Sequence, residues 1–220
     1  MTTPKPANKT AGPRQQRSRE SHERVIAATQ RLLVDARGAD FTLPDVSREA
    51  GISIGGIYGR FPNRIALILE VQARTNETMA QQYQSDIAQA RQECRSGSAL
   101  MQRLVADTAQ SLRQHRQIIK ALIDASLTDP QIAEQGLLAY RNHLALFKAA
   151  LLDYRDAISH PQPEQAIDFC FLTLYEVVAS HLGFGRRNSL SLWRHWSRQA
   201  GQWWKRWYLA TWKNRRSVTS

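Results

Sequence analysis

Residues 42–69 read TLPDVSREAGISIGGIYGRFPNRIALIL, two short helical segments around a glycine and then a longer helix. Thr42 followed three residues on by Asp45 has the form of a capping box. The threonine oxygen takes an otherwise orphaned backbone N–H, the carboxylate reaches back, and Pro44 is tolerated in the first turn. Val46 and Ala50 share one face of this helix, and Gly51 gives the backbone freedom for a sharp turn. Ser53 is a good N-cap for a second helix predicted over Ile54 to Phe61. Two helices so joined form a helix-turn-helix, which places its second helix in a DNA major groove.

These residues resemble the N-terminal domain of the tetracycline-repressor (TetR/AcrR) family, which reads T-x-x-D-[IV]-[AS]-x-x-A-G-[VI]-S-x-G-x-[LI]-Y-x-x-F-x-[SN]-[KR]-x-x-L. The matching residues are Thr42, Asp45, Val46, Ser47, Ala50, Gly51, Ile52, Ser53, Gly55, Ile57, Tyr58, Phe61, Asn63, Arg64 and Leu67. The detailed match covers roughly residues 20 to 70, and beyond it the likeness rests on helix count and length. At four places the chain departs from the residues most common in the family. Arg64 stands where the family most often has a lysine, keeping the charge and adding a bidentate fork. Gly56 replaces a small hydroxyl or alanine, and Gly59 and Arg60 replace an aromatic and a histidine. The extra glycines leave fewer side chains to read base edges, and each costs about 1 kcal/mol of helix propensity against alanine. The resemblance implies DNA contacts from Thr42, Tyr58 and Arg64 to phosphate and from Ser53, Gly55, Gly56, Gly59 and Arg60 toward the bases. Ile57 and Phe61 are assigned to the core.

A competing motif lies in the same place. Gly51-Ile52-Ser53-Ile54-Gly55 fits G-x-S-x-G, the serine nucleophile elbow of hydrolases, which needs a strand before the serine. Residues Leu43 to Ala50 contain a proline, two acids and an arginine with helical spacing, so the required strand is not expected and an enzyme is disfavoured. Only Cys94 and Cys170 are present, too few for a disulfide framework and expected as buried thiols, and no C-x-x-C or paired-histidine motif suggests a metal or other cofactor. No apolar h-region and no 18-residue apolar run occur, which points to a cytoplasmic protein without a membrane span.

The net formal charge of +11 is unevenly spread: +5 over residues 1–65, −3 over 66–185 and +9 over 186–220. Lys5, Lys9, Arg14, Arg17 and Arg19 account for most of the N-terminal excess. Residues 1–17 read as a disordered basic arm that reaches phosphates or a minor groove, with a solubilising tail as the alternative. Arg17 and Arg19 are carried as candidate DNA contacts.

Helical phasing continues along the chain. Val25, Thr29, Leu32, Leu33 and Ala36 form the stripe of a first helix, and Ile65, Leu69, Gln72, Met79, Tyr83 and Ile87 that of a long fourth. Breakers at Ser96-Gly97-Ser98, Thr128-Asp129-Pro130 and His160-Pro161-Gln162-Pro163 separate a fifth, sixth, seventh and eighth, the seventh running to about Ile158. The expected fold is all-α with about nine helices. Residues 18–65 make a three-helix DNA-binding domain, 66–214 a larger ligand-binding and dimerisation domain, and 215–220 a tail.

The eighth helix is apolar almost all round. The ninth, about Ser189 to Trp212, carries Trp193, Trp196, Trp203, Trp204 and Trp207 among arginines and lysines. The resemblance implies that these last two helices form a homodimer interface, for which tryptophan and arginine are suited. A membrane-surface role or a second nucleic-acid contact is the alternative for the ninth. The family resemblance further implies a double-stranded pseudo-palindromic operator and a small-molecule inducer bound among helices four to eight. Met101, Leu104, Tyr140, His143, Phe147, Phe171 and Tyr175 are candidate pocket residues, with ordinary core packing as the alternative for each. His143 and His181 are expected to be structural and hydrogen-bonded. Asp124, Asp153, Asp156, Asp168 and Glu176 would select a cationic ligand if they converged inward.

Overall fold

The computed structural model describes residues 13–35 and 38–184. Among these, eight α-helices and two short 3-10 turns account for the regular structure: α1 Pro13–Val34, α2 Leu43–Ala50, α3 Ile54–Tyr58, α4 Arg64–Glu93, α5 Gly97–Gln114, α6 Arg116–Ser126, α7 Pro130–Leu152 and α8 Pro163–His181. The fold is all-α with an N-terminal helix-turn-helix, as the sequence predicts. The expected ninth helix, with its tryptophans, lies outside the described residues, as do residues 1–12 of the arm.

Helix ends follow local chemistry. Thr42 caps α2 through the full capping box, with backbone φ −109° and ψ 164°. Its Oγ1 accepts from the Asp45 N–H at 3.3 Å and donates to Asp45 Oδ2 at 2.7 Å, while its own N–H donates to that oxygen at 2.9 Å. These bonds, the hydroxyl first, hold the Asp45 carboxyl down at about 2, helped by the Arg48 guanidinium. Gly51 closes α2 in the left-handed region at φ 62°, where a side chain is strained. Asn63 caps α4 by accepting from the Ala66 N–H at 2.9 Å, and Ser96 caps α5 by accepting from Ala99 at 3.2 Å.

Three boundaries depart from expectation. Helix α1 begins at Pro13, so residues 13–17 are helical where an arm was expected; proline suits a first helical position because its missing N–H has no partner to lose there. Helix α3 stops at Tyr58, three residues short of Phe61, where the Arg60 N–H turns back to the Ile57 oxygen at 2.9 Å. Helix α7 ends at Leu152. Beyond it the Tyr154 N–H bonds Leu151, three residues back, and a 3-10 turn spans Arg155–Ala157.

Two compact units divide the chain, one formed by residues up to 82 together with 117–141, the other by 83–116 and from 142 onward. The expected division after residue 65 does not coincide with this one. In the first unit Val25, Ala28 and Leu33 of α1, Val46 of α2, Ile57 of α3 and Leu67 and Ile68 of α4 share one apolar core with Ile118, Leu122 and Ala125 of α6 and Ile132 of α7. Phe61 closes it and stacks on His22, ring centroids 5.5 Å apart. Gln72, buried on α4, donates to the Ile132 carbonyl at 2.9 Å. In the second unit α5 packs against α8, and Leu100, Leu104, Leu112, Phe147, Ile167 and Phe171 are buried. No helix among the described residues is long and apolar enough to cross a membrane.

Candidate nucleic-acid interface and ligand site

The helix-turn-helix offers α3 by anchoring one side of it and leaving the other bare. Ile57 is 0% exposed, whereas its neighbour Tyr58 is 56% exposed. Ser53 caps α3 by accepting from the Gly56 N–H at 3.3 Å, which leaves its hydroxyl proton free to donate. Ser53, Gly55, Tyr58 and Gly59 are exposed and form the outward face. Gly56 does not belong to it. It is half-buried, and a Cβ there would lie 3.2 Å from both Ile52 Cγ2 and Ser53 Oγ, so its missing side chain makes room for the cap. At Gly55, by contrast, a Cβ would meet nothing.

Ile54, 39% exposed, is an outward residue that sequence reading passed over, although its position directly after the N-cap was a usable signal. Its apolar side chain is suited to a thymine methyl. Thr42, assigned to phosphate, already gives its hydroxyl proton and N–H to Asp45, so a phosphate would compete with the cap. Arg64 opens α4 and is half-buried; Arg17 and Arg19 are exposed on α1. Arg60, assigned to the bases, instead donates from Nη1 to Ser21 Oγ at 3.0 Å and from Nη2 to Ser18 Oγ at 3.3 Å. The nucleophile-elbow reading fails on local structure, because helix α2 occupies the place of the strand before Ser53.

The second unit brings together part of the expected ligand site. His143 packs on Tyr83 with centroids 4.0 Å apart and on Phe171 at 5.9 Å; Phe147 and Tyr175 flank Phe171 at 5.1 and 6.1 Å. Met101 is half-buried with its sulfur 3.9 Å from Cys170 Sγ, and Leu104 is fully buried. Tyr140 falls in the first compact unit. Sequence reading gave Tyr83 only a place on the stripe of the fourth helix, yet its ring packs on His143 and its hydroxyl accepts from Thr108 Oγ1 at 3.3 Å. Burial drives the Tyr83 hydroxyl far above its ordinary range and pushes Tyr175 up to about 12, with the Glu176 charge adding to the latter.

The expectation of hydrogen-bonded structural histidines is overturned at His143. Its Nε2 is buried without a hydrogen-bond partner, and burial lowers the ring's pKa to about 4, so it is neutral at physiological pH. His181 is exposed at the end of α8. The acids do not converge: Asp168 pairs with Lys148 at 2.8 Å, Asp153 with Arg91 at 2.5 Å and Asp124 with Lys120 at 2.9 Å, while Asp156 and Glu176 lie at the surface. Cys94 and Cys170 are each half-buried rather than enclosed. Among the described residues no group of histidine, cysteine and carboxylate side chains is arranged to hold a metal ion.

An all-α chain with a capped helix-turn-helix and an exposed second helix has the fold of the DNA-binding transcription regulators. Residues 25–71 match the sequence profile of the bacterial regulatory proteins of the tetR family. Among curated proteins none matches the chain in sequence. Solved structures share its fold. A tetR-family transcriptional regulator from Mesorhizobium loti MAFF303099 superimposes with a TM-score of 0.62 at 19% identity, over 81% of this chain and 92% of its own. The fatty acid degradation regulator FadR from Bacillus halodurans gives 0.56 at 18%, over 78% and 85%, and a SmeT–triclosan complex gives 0.56 at 19%, over 73% and 79%.

Proposed function

We propose that the protein is a ligand-responsive transcriptional repressor that binds a pseudo-palindromic operator as a homodimer in the cytoplasm and is released by a small-molecule inducer. The observation that carries the reading is the division of α3 into a buried anchor, Ile57, and an outward face led by Tyr58. A helix held in this way keeps its orientation while it enters the major groove, and two related by a two-fold axis read two half-sites.

The inducer half of the reading draws support from His143. A buried ring nitrogen without a partner costs roughly 1 to 3 kcal/mol, a cost that a bound molecule supplying a hydrogen bond would offset. Neutral and set among Tyr83, Phe147, Phe171 and Tyr175, it suits an uncharged, largely apolar ligand better than a cation. The triclosan of the SmeT complex is a small molecule on a related fold and supports a ligand role in kind, without identifying the ligand of this chain. A thousandfold release from DNA requires the inducer to prefer the DNA-incompetent state by about 4 kcal/mol.

A second reading is a DNA-binding protein of the same fold that organises the chromosome or recruits a partner without an inducer. The bareness of the α3 face at Gly55 and Gly59 favours it. The two are separated by measuring binding to the duplex flanking the protein's own gene and to a scrambled duplex across a salt series. Tight binding at one protected palindrome supports the operator-specific repressor. Equal, steeply salt-dependent binding to both favours the second reading.

A further inference from the structure

Arg60 occupies the turn immediately after α3, yet its side chain reaches back to α1. Its two terminal nitrogens each donate to a serine, Ser21 at 3.0 Å and Ser18 at 3.3 Å, residues 39 and 42 positions earlier in the chain. Among the described residues these hydroxyls are its side-chain partners, and neither carries charge, so the guanidinium's positive charge is held in place without being neutralised. Arg17 and Arg19 flank Ser18 on the same exposed stretch of helix.

An arginine reads guanine by presenting two parallel N–H groups to O6 and N7. For Arg60, the pair of terminal nitrogens is already turned toward α1, and an end-on reading of a base edge would mean releasing both serines. Three of its five N–H groups remain for an acceptor outside the pair. Each serine, by accepting from the guanidinium, also keeps its own hydroxyl proton to donate. The result is a fixed cation beside further donors, a combination that suits one phosphate oxygen cluster better than a base edge.

We propose that Arg60, Ser18 and Ser21 form a single clamp for a DNA backbone phosphate, joining α1 and the end of α3 on the same strand. The proposal rests on the reading that α3 faces DNA. Arg60 makes the contact, and Ser18 and Ser21 are positioning residues that order a long side chain before DNA arrives, reducing the entropy lost on binding. The clamp is blind to sequence and sets register, leaving discrimination to Ser53, Ile54 and the shape of the duplex.

The test uses the full chain and short fluorescent duplexes of two unrelated sequences, with binding followed over a salt series. Arg60→Gln should weaken binding to both duplexes alike and flatten the slope of log affinity against log salt by about 0.9 per bound protomer. Ser18→Ala with Ser21→Ala should weaken binding several-fold while keeping the slope, and Ser18→Thr with Ser21→Thr should restore most of the affinity. Thermal melting of each variant, unchanged from wild type, separates this from damage to the head. The clamp is overturned if the Arg60→Gln loss is confined to one sequence, if its salt slope is that of wild type, or if the double alanine variant binds as well as or better than wild type. A wild-type chain that binds neither duplex at low salt overturns the regulator reading and the clamp together, an outcome distinct from a binding wild type whose variants do not differ.

Discussion

Thr42 and His143 show how differently the helix-turn-helix and the aromatic cluster of the second unit are built. Thr42 sits at the surface with its hydroxyl and N–H both engaged by Asp45, whereas His143 lies inside with a buried nitrogen that nothing engages. In the reading head, polar side chains hold backbone: Thr42, Ser53 and Asn63 each cap a helix, so α2, α3 and the start of α4 have set positions. In the aromatic cluster a polar atom is left in reserve. Under the proposed function the difference is useful: a region that recognises a regular partner such as a duplex gains from fixed geometry, and one that responds to an arriving molecule gains from an incomplete interior.

The contrast can be broken by experiment, most forcefully in the head. Ile57→Ala removes the anchor of α3 and should cost between about 2 and 5 kcal/mol, measured by denaturant unfolding. A loss below 1 kcal/mol would mean that α3 is not held as described.

The next effect belongs to His143. Its folded-state pKa of about 4 lies below the ordinary value of 6.5, so between these values the unfolded chain takes up a proton that the folded one refuses. Its contribution is complete above pH 6.5 and is lost as pH falls toward 4, by up to about 3 kcal/mol at 1.36 kcal/mol per unit. His143→Phe should therefore flatten the acid limb of stability against pH, leaving the carboxylate contribution common to both proteins. Identical limbs would show that the nitrogen is not isolated.

Gly51→Ala places a side chain at φ 62° and should destabilise by about 1 to 2 kcal/mol in thermal melting; a neutral result would deny the left-handed turn. The smallest effect compares two adjacent glycines. Gly55→Ala should stabilise by up to about 1 kcal/mol through helix propensity. Gly56→Ala should gain less or lose, because its Cβ would press on the Ser53 cap. Equal gains at both positions would remove the distinction drawn between the two faces of α3.

What could be read from sequence followed the range of the interactions. Thr42 and Asp45 are three residues apart, and Gly51 acts on its own backbone, so the capping box and the turn were legible together with the all-α fold. The packing of Ile57 and Phe61 followed from the motif. The inward setting of Gly56 was not legible, since α3 is only five residues long and too short for periodicity to fix its phase. Neither was the Arg60 tether, which joins residues some forty positions apart through hydroxyls that carry no pattern. The state of His143 eluded sequence reading for a related reason: helical spacing predicts which residues turn inward, while whether an inward nitrogen finds a partner depends on side chains from other helices.

The core of the first unit has a consequence for inheritance. Val25, Val46, Ile57 and Leu67 share it with Ile118, Leu122 and Ile132, so the unit that carries the helix-turn-helix is encoded in two separated stretches of the gene. A recombination crossover after residue 65, or even after 82, would graft the reading helices onto a foreign α6 and α7 and leave mismatched volumes beneath α1 and α4. Under the proposed function, a new operator preference is reached more readily by point changes on the bare face of α3 than by exchange of the whole head, which has to bring residues 117–141 along with it.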